Sequence, residues 1–318
     1  MSGVLVLGGS GFVGLSVCEK LVEYYGGADA QITVPSRHPA RAREIQPLPT
    51  VVLERADVHD DAQLRRLVGG HDVVIHLIAT LHGSERDFQR LHVDLPKRVA
   101  AACHDAGVRR VVHVSSLGAD ASAPSRYLRS KAAGEAAWRD SDLDVTVLRP
   151  SVIFGECDRF MNRFASLQRI FPVMPLAGAN ARFQPVWVDD VAAAVVRCVD
   201  DRSTIGATFE CTGPTVYTLA ELVRLAGRWS GHERPIVPLP QALGRLQAML
   251  LEWLPGEPVM SRDNLDSMRV DNVATGTLPG LDRLGITPTP LEAVMPVVLG
   301  WRAGPARLEP WRASARRG

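Results

Sequence analysis

Apolar and polar positions along the chain alternate between two spacings. Short apolar runs of strand length occur at Val4–Leu7, Gln31–Pro35, Val51–Leu53, Asp72–Ala79, Arg110–Val114 and Val145–Leu148. Such runs read as strands buried on both faces, as in a parallel sheet. Between them lie stretches with apolar residues every three or four positions, which read as helices. These are Leu15–Tyr25, Asp60–Val68 closed by Gly69-Gly70, Phe88–Ala106 closed by Gly107, and Ser125–Arg139. Strand and helix alternate six times without a strong linker, which predicts an α/β fold: a doubly wound parallel sheet with helices on both faces.

Beyond Pro150 the regularity fades. A helix is predicted over Arg159–Phe171, and Pro172, Pro175, Gly178 and Pro185 break up the next stretch of chain. Val186–Val188 reads as a short strand, with Asp189 expected to cap a helix over Val191–Val199. Ala207–Cys211 reads as a strand that can rejoin the main sheet, and Leu219–Trp229 as a helix. Pro240–Leu254 is amphipathic, with Leu243, Leu246, Met249, Leu250 and Trp253 on one side. Its polar side is not basic, so packing on the core is expected over lying on a membrane surface. The tail from Trp301 to Gly318 carries Trp301, Trp311 and five arginines. It suits a partner or anionic lipid as well as it suits a frayed terminus.

Composition narrows the class. The chain has 318 residues, 46% hydrophobic and 22% charged, enough for one large or two modest packed domains. Net charge is +1, which gives no electrostatic case for nucleic acid. Cys18, Cys103, Cys157, Cys198 and Cys211 are scattered without a CxxC pair, which argues for a reducing compartment and against a metal site. No apolar run approaches the roughly 20 residues of a membrane span. The first strand begins almost at once, so a cytoplasmic protein is expected, or one peripheral at the inner face of a membrane. Only Lys20, Lys97 and Lys131 are lysines, against 33 arginines, so a lysine that persists invites a chemical reason.

The chemistry begins at the first strand. Gly8, Gly11 and Gly14 carry the chain from Val4–Leu7 into a helix. Gly8 permits the turn, Gly11 leaves room for a pyrophosphate, and Gly14 lets helix and sheet approach. Main-chain amides around Ser10, Phe12 and Val13, at the positive end of the helix, then face the phosphates. The second strand ends in Ser36-Arg37, with Arg41 and Arg43 beyond it and no acid before Glu44. A carboxylate there would select NAD(H); an arginine attracts a 2′-phosphate, so NADP(H) is expected with Arg37 on the phosphate. The competing reading is a solvated basic loop. Asp57 is placed to accept from the adenine amine, Val58 to cover the ring, and the fourth strand's end, Leu77 to Ala79, to pass beside the dinucleotide. Tyr127 and Lys131 are four apart on one helix face. An ammonium beside the phenol, together with the cofactor's positive nicotinamide, would lower the phenol's pKa and let it exchange a proton with a substrate hydroxyl while hydride moves. Ser115 or Ser116 is the candidate to polarise a substrate carbonyl.

Gly8-x-x-Gly11-x-x-Gly14, Asp57-Val58, Ser115-Ser116, Tyr127-x-x-x-Lys131 and Arg149-Pro150-Ser151-Val152-Ile153-Phe154-Gly155 together resemble an extended short-chain dehydrogenase/reductase. Phe183 to Ala192 is similar to the segment that rejoins the cofactor domain there. Tyr127–Lys131, Ala177-Gly178-Ala179, Arg182–Pro185 and Met260–Asn264 are similar to an atypical branch, bacterial relatives of the NADPH-binding accessory subunit of respiratory complex I. The resemblance implies a Rossmann domain over 1–150 plus 183–212 and a smaller substrate or partner lobe over 151–182 plus 213–318. It adds Pro150 and Val152 to the cofactor contacts. Two positions depart from the active pattern: Leu117 stands where a catalytic Ser or Thr usually comes after the serine pair, and His92 aligns with a structural Asn. The resemblance thus implies one of two functions: an NADP(H)-dependent oxidoreductase or epimerase on a small carbonyl or hydroxyl substrate, or a non-catalytic NADP(H)-binding factor for a membrane respiratory or quinone-synthesis complex.

Overall fold

The computed structural model describes residues 3–26, 30–253, 258 and 260–302. In chain order the first elements are β1 (Gly3–Leu7), α1 (Phe12–Tyr25), β2 (Gln31–Ser36), β3 (Val51–Arg55), α2 (Asp61–Val68) and β4 (Val73–His76). Then come α3 (Glu85–Phe88), a π-helical turn over Gln89–Asp94, α4 (Leu95–Ala106), β5 (Arg110–Val114), α5 (Arg126–Arg139) and β6 (Asp144–Pro150). After Pro150 the chain forms β7 (Ile153–Phe154), α6 (Met161–Ile170), β8 (Met174–Ala177), β9 (Arg182–Phe183), β10 (Val186–Trp187), α7 (Val188–Asp200) and β11 (Thr208–Cys211). The last are β12 (Tyr217–Thr218), α8 (Leu219–Trp229), β13 (Ile236–Leu239), α9 (Gln241–Glu252), α10 (Arg262–Ser267) and α11 (Leu291–Arg302).

Seven strands pair in parallel in the order β11-β6-β5-β4-β1-β2-β3, so the expected doubly wound sheet is present. The order reverses between β1 and β4. A ligand crevice in such sheets lies at the carboxyl ends of the strands flanking that reversal. One buried cluster packs Leu5 and Leu7 of β1 against Leu64 and Leu67 of α2, Leu95 and Val99 of α4, and Trp138 of α5. α7 packs against α1. Arg110, 9% exposed, ties this region together: its guanidinium donates to Thr146 Oγ1 (2.8 Å), Thr204 Oγ1 (2.9 Å) and the Cys198 carbonyl.

The chain forms two compact units. The first comprises 1–151, 188–212 and 274–287; the second comprises 152–187, 213–273 and 288–318. The stretch 183–187, expected with the sheet, thus lies in the second unit, and 274–287 returns to the first, where Glu210 N–H donates to the Pro279 carbonyl (2.9 Å). Within the second unit α6, α8 and α11 enclose Phe164, Leu222, Val223, Met295 and Leu299.

Three local expectations are corrected. The helix predicted over Phe88–Ala106 is interrupted by the π-helical turn. At this turn a Cβ on Gly134 would stand 2.1 Å from the His92 carbonyl oxygen, so α5 lies directly against it. Asp189 does not cap, because α7 already begins at Val188 and places it in the first turn. The apolar side of α9 does not pack on the core. Gly244 and Ala248 are its buried residues, and a Cβ on Gly244 would meet Ala177 Cβ at 2.6 Å. The helix approaches β8 through its small residues, which turns Leu243, Leu246, Leu250 and Trp253 outward, at 48–77% exposure. Residues 303–318 of the arginine-rich tail, and Leu254 at the end of the predicted amphipathic helix, lie outside the described residues.

Candidate dinucleotide and acid–base site

The glycine turn has the geometry a phosphate cradle requires. Gly8 has φ +92°, and a Cβ there would meet Ile78 N at 3.2 Å. A Cβ on Gly14 would stand 2.3 Å from the Gly8 carbonyl oxygen and 2.5 Å from Gly9 Cα, so only glycine lets α1 start against the turn. Gly11, the N-cap, is exposed, and the Gly8 carbonyl oxygen at 3.3 Å is the nearest obstacle to its missing side chain. No side chain caps α1 and no acid lies in its first turn. The amides of Phe12, Val13 and Gly14 therefore have no intrahelical acceptor, and the positive helix end is uncompensated beside exposed Ser10. This cradle fits a pyrophosphate.

At the adenine end, Ser36 Oγ accepts from His38 N–H (3.2 Å), and exposed Arg37 pairs with no carboxylate among the described residues. Asp57 is half-buried; its Oδ1 accepts from His59 N–H (3.0 Å), and its N–H donates to Gln63 Oε1 (2.9 Å). Val58 is partly buried against the core cluster. Leu77 N–H donates to the Leu7 carbonyl (2.9 Å), which extends the β1–β4 pairing by one residue, and Ala79 is exposed beyond it.

The acid–base residues converge past β5. Ser116, half-buried, is hydrogen-bonded to the Tyr127 phenol. Ser115 is buried, and its Oγ has no hydrogen-bond partner among the described residues. Of the serine pair, Ser116 is therefore the one at the phenol. Leu117 N–H donates to the Pro150 carbonyl (2.9 Å), and the side chain is 1% exposed, turned into the core. Lys131, 2% exposed, donates from Nζ to the Val114 carbonyl (3.0 Å), which holds the ammonium at the end of β5. Burial pushes it down to about 8, against the opposing pull of Glu135. Burial raises Tyr127 above its ordinary value, and the Ser116 bond offsets this only in part. Val152 lies in the second unit, where its N–H donates to Asn272 Oδ1 (3.1 Å).

His92 was legible only as a departure from a pattern; the structure gives it definite work. Its Nε2 accepts from Thr80 N–H (3.1 Å), so Nδ1 carries the proton toward Ser130 Oγ (2.8 Å), and Ser130 donates to the Tyr127 carbonyl (2.7 Å). Burial, then the Lys131 charge, push His92 down to about 3 and keep it neutral. His76 and His113 lie on β4 and β5 with Nδ1 atoms 3.1 Å apart, and both sense Lys131 in the same way. Glu135, 2% exposed, holds Arg149 through two bonds of 2.9 and 2.5 Å. Among the described residues no group of His, Cys, Asp or Glu is placed to hold a metal ion, and no helix is long and apolar enough to cross a membrane.

The chain is 35% identical over 301 residues to mouse NADH dehydrogenase [ubiquinone] 1 alpha subcomplex subunit 9, mitochondrial, covering 92% of this chain and 78% of that protein. It is 28% identical over 240 residues to a ceramide reductase of Caulobacter vibrioides, covering 74% of this chain and 73% of the other. Among solved structures, the dTDP-glucose 4,6-dehydratase DesIV of Streptomyces venezuelae, with NAD bound, superposes with TM-score 0.73 at 21% identity over 96% of this chain and 99% of its own. Residues 8–202 match the NAD(P)H-binding family, and on that match and the 35% identity to the mouse NADH dehydrogenase subunit the chain belongs to this family and is homologous to that subunit.

Proposed function

We propose that the protein binds NADP(H) and works as an oxidoreductase or epimerase on a small carbonyl or hydroxyl substrate. The observation that carries this is the Ser116–Tyr127 hydrogen bond with Lys131 one helical turn along α5. The cradle of Gly8, Ser10, Gly11, Phe12, Val13 and Gly14 takes the pyrophosphate, and Arg37 beside Ser36 takes the 2′-phosphate. Asp57 and Val58 take the adenine, and Leu77, Ala79 and Pro150 contribute toward the nicotinamide half. When bound, the reduced nicotinamide supplies the hydride. Tyr127 Oη, kept protonated by its burial, gives its proton to the carbonyl oxygen as the carbon is reduced. Ser116 Oγ orients that oxygen. Lys131 Nζ stabilises the resulting phenolate and holds the ribose with the donors that Val114 leaves spare. Leu117 does not break this set, because Ser116 stands at the phenol and Leu117 faces the core.

A second reading rests on the 35% identity to a mitochondrial NADH dehydrogenase subunit and on the outward apolar side of α9. In it the protein holds NADP(H) as a fixed element and serves a membrane respiratory or quinone-synthesis complex from its inner face. Loss of NADPH absorbance across a panel of quinones, ketones and nucleotide sugars separates the two. Turnover that Tyr127→Phe abolishes, with NADPH binding retained, supports catalysis. Tight NADPH binding without turnover on any class, together with recovery in the membrane fraction, overturns it in favour of the second reading.

A further inference from the structure

Arg55 ends β3, next to the adenine end of the crevice, and its partner in the parallel register is Ser36. Residues in register share a sheet face, on strands about 4.8 Å apart. The pairing persists past the strand end, where Ala56 N–H donates to the Ser36 carbonyl (3.2 Å). The position of Ser36 is the one at which a nicotinamide dinucleotide's adenosine ribose is read. Arg55 therefore lies on the same face as that ribose position, one strand further out.

The charges around it are unbalanced. Glu54 alternates to the opposite face and is held by Arg66 Nη2 at 2.5 Å. Asp57 Oδ1 is taken by His59 N–H. Arg55 is exposed and, like Arg37, pairs with no carboxylate among the described residues. His59 on the same rim lies below the ordinary imidazole value, first through burial, with Arg90, Arg98 and Arg37 adding to the fall against the opposing pull of Asp57. Two unpaired guanidiniums beside one ribose position form a fork for a dianion, since each offers parallel N–H donors.

We infer that Arg55 is a second specificity-determining residue, which binds the 2′-phosphate of the adenosine ribose from β3 while Arg37 binds it from the β2 loop. This rests on the NADP(H) reading above, and one experiment distinguishes failure of either. Calorimetric titration of the full chain compares adenosine 2′,5′-bisphosphate with adenosine 5′-monophosphate, in wild type, Arg55→Gln and Arg55→Lys. The wild type is expected to prefer the bisphosphate by about a hundredfold, from two charge-assisted contacts. Arg55→Gln is expected to cut that preference about tenfold without changing monophosphate affinity, and Arg55→Lys to restore part of it. Arg55 is exposed on an edge strand, so unchanged thermal melting confirms that the variants fold. A wild type without preference overturns the NADP(H) reading and the inference with it. A wild-type preference that survives intact in Arg55→Gln overturns the inference alone.

Discussion

The imidazole of His92 stands edge-on to the ring of Tyr127, centroids 5.7 Å apart, and the same imidazole reaches the Tyr127 backbone through Ser130. This histidine thus contacts the candidate acid twice. His92→Phe keeps the ring and removes both nitrogen bonds. It leaves the Thr80 N–H without its acceptor, a cost of about 1–3 kcal/mol. The melting temperature is expected to fall by roughly 3–6 °C while NADPH affinity stays within about twofold. An unchanged melting temperature would mean that the Thr80 and Ser130 bonds do no structural work.

The buried imidazoles predict an acid-labile fold. His76 and His92 are pushed from 6.5 to about 3 by burial and then by the Lys131 charge. In the unfolded chain both take up protons near 6.5, and in the folded chain neither does until far lower. Their contribution is therefore complete above 6.5 and is lost as pH falls toward 3. At about pH 4.5 each histidine costs roughly 2–3 kcal/mol relative to neutrality. The low-lying carboxylates Asp60, Asp87, Asp120 and Asp201 add to the loss only below about pH 4. Melting curves between pH 7 and 4.5 should slope downward, and His92→Gln should flatten them. A level profile would show that the imidazoles are hydrated.

Arg37→Ala should weaken NADPH by roughly ten- to a hundredfold and NADH by less than about twofold, since only the former carries the 2′-phosphate. Fluorescence titration of both nucleotides gives the ratio directly. Equal losses would place Arg37 in a general structural role and remove the basis for choosing NADP(H).

Gly134→Ala places a methyl group where the His92 carbonyl oxygen now lies, at 2.1 Å. Backbone must move on both sides, and overpacking of this kind costs about 3 kcal/mol. A melting temperature lower by about 6–12 °C is expected, with the loss of near-ultraviolet ellipticity from Trp138 beginning first. A neutral outcome would show that α5 and the π-helical turn separate freely.

Much of this was legible from local signals. β5 and α8 have the predicted bounds, Arg110–Val114 and Leu219–Trp229, because apolar runs and caps coincide there. Thr218 and Glu221, for example, form a reciprocal capping box at the start of α8. Gly8, Gly11 and Gly14 were readable because each has a distinct steric demand. The features that escaped depend on contacts remote in sequence. The π-helical turn lies against Gly134, some forty positions along. Leu117 reads as a missing hydroxyl until the Pro150 carbonyl is seen to hold it inward. The α9 side chains keep one amphipathic spacing whichever way they face, and only the Gly244–Ala177 approach decides it. The phenol's raised pKa escaped because burial, which the sequence does not show, outweighs the Ser116 hydrogen bond.

Arg110 has a consequence for how the protein is made. Its partners Cys198 and Thr204, and the strand that covers β6, are translated some ninety residues later, and residues 274–287 later still. A nascent chain that has emerged only as far as Ser151 carries a guanidinium lacking half of its acceptors and a sheet edge open to other chains. The first unit cannot close on the ribosome until residue 287 has emerged, so products truncated before it should be targets for chaperones and proteases rather than small soluble nucleotide binders.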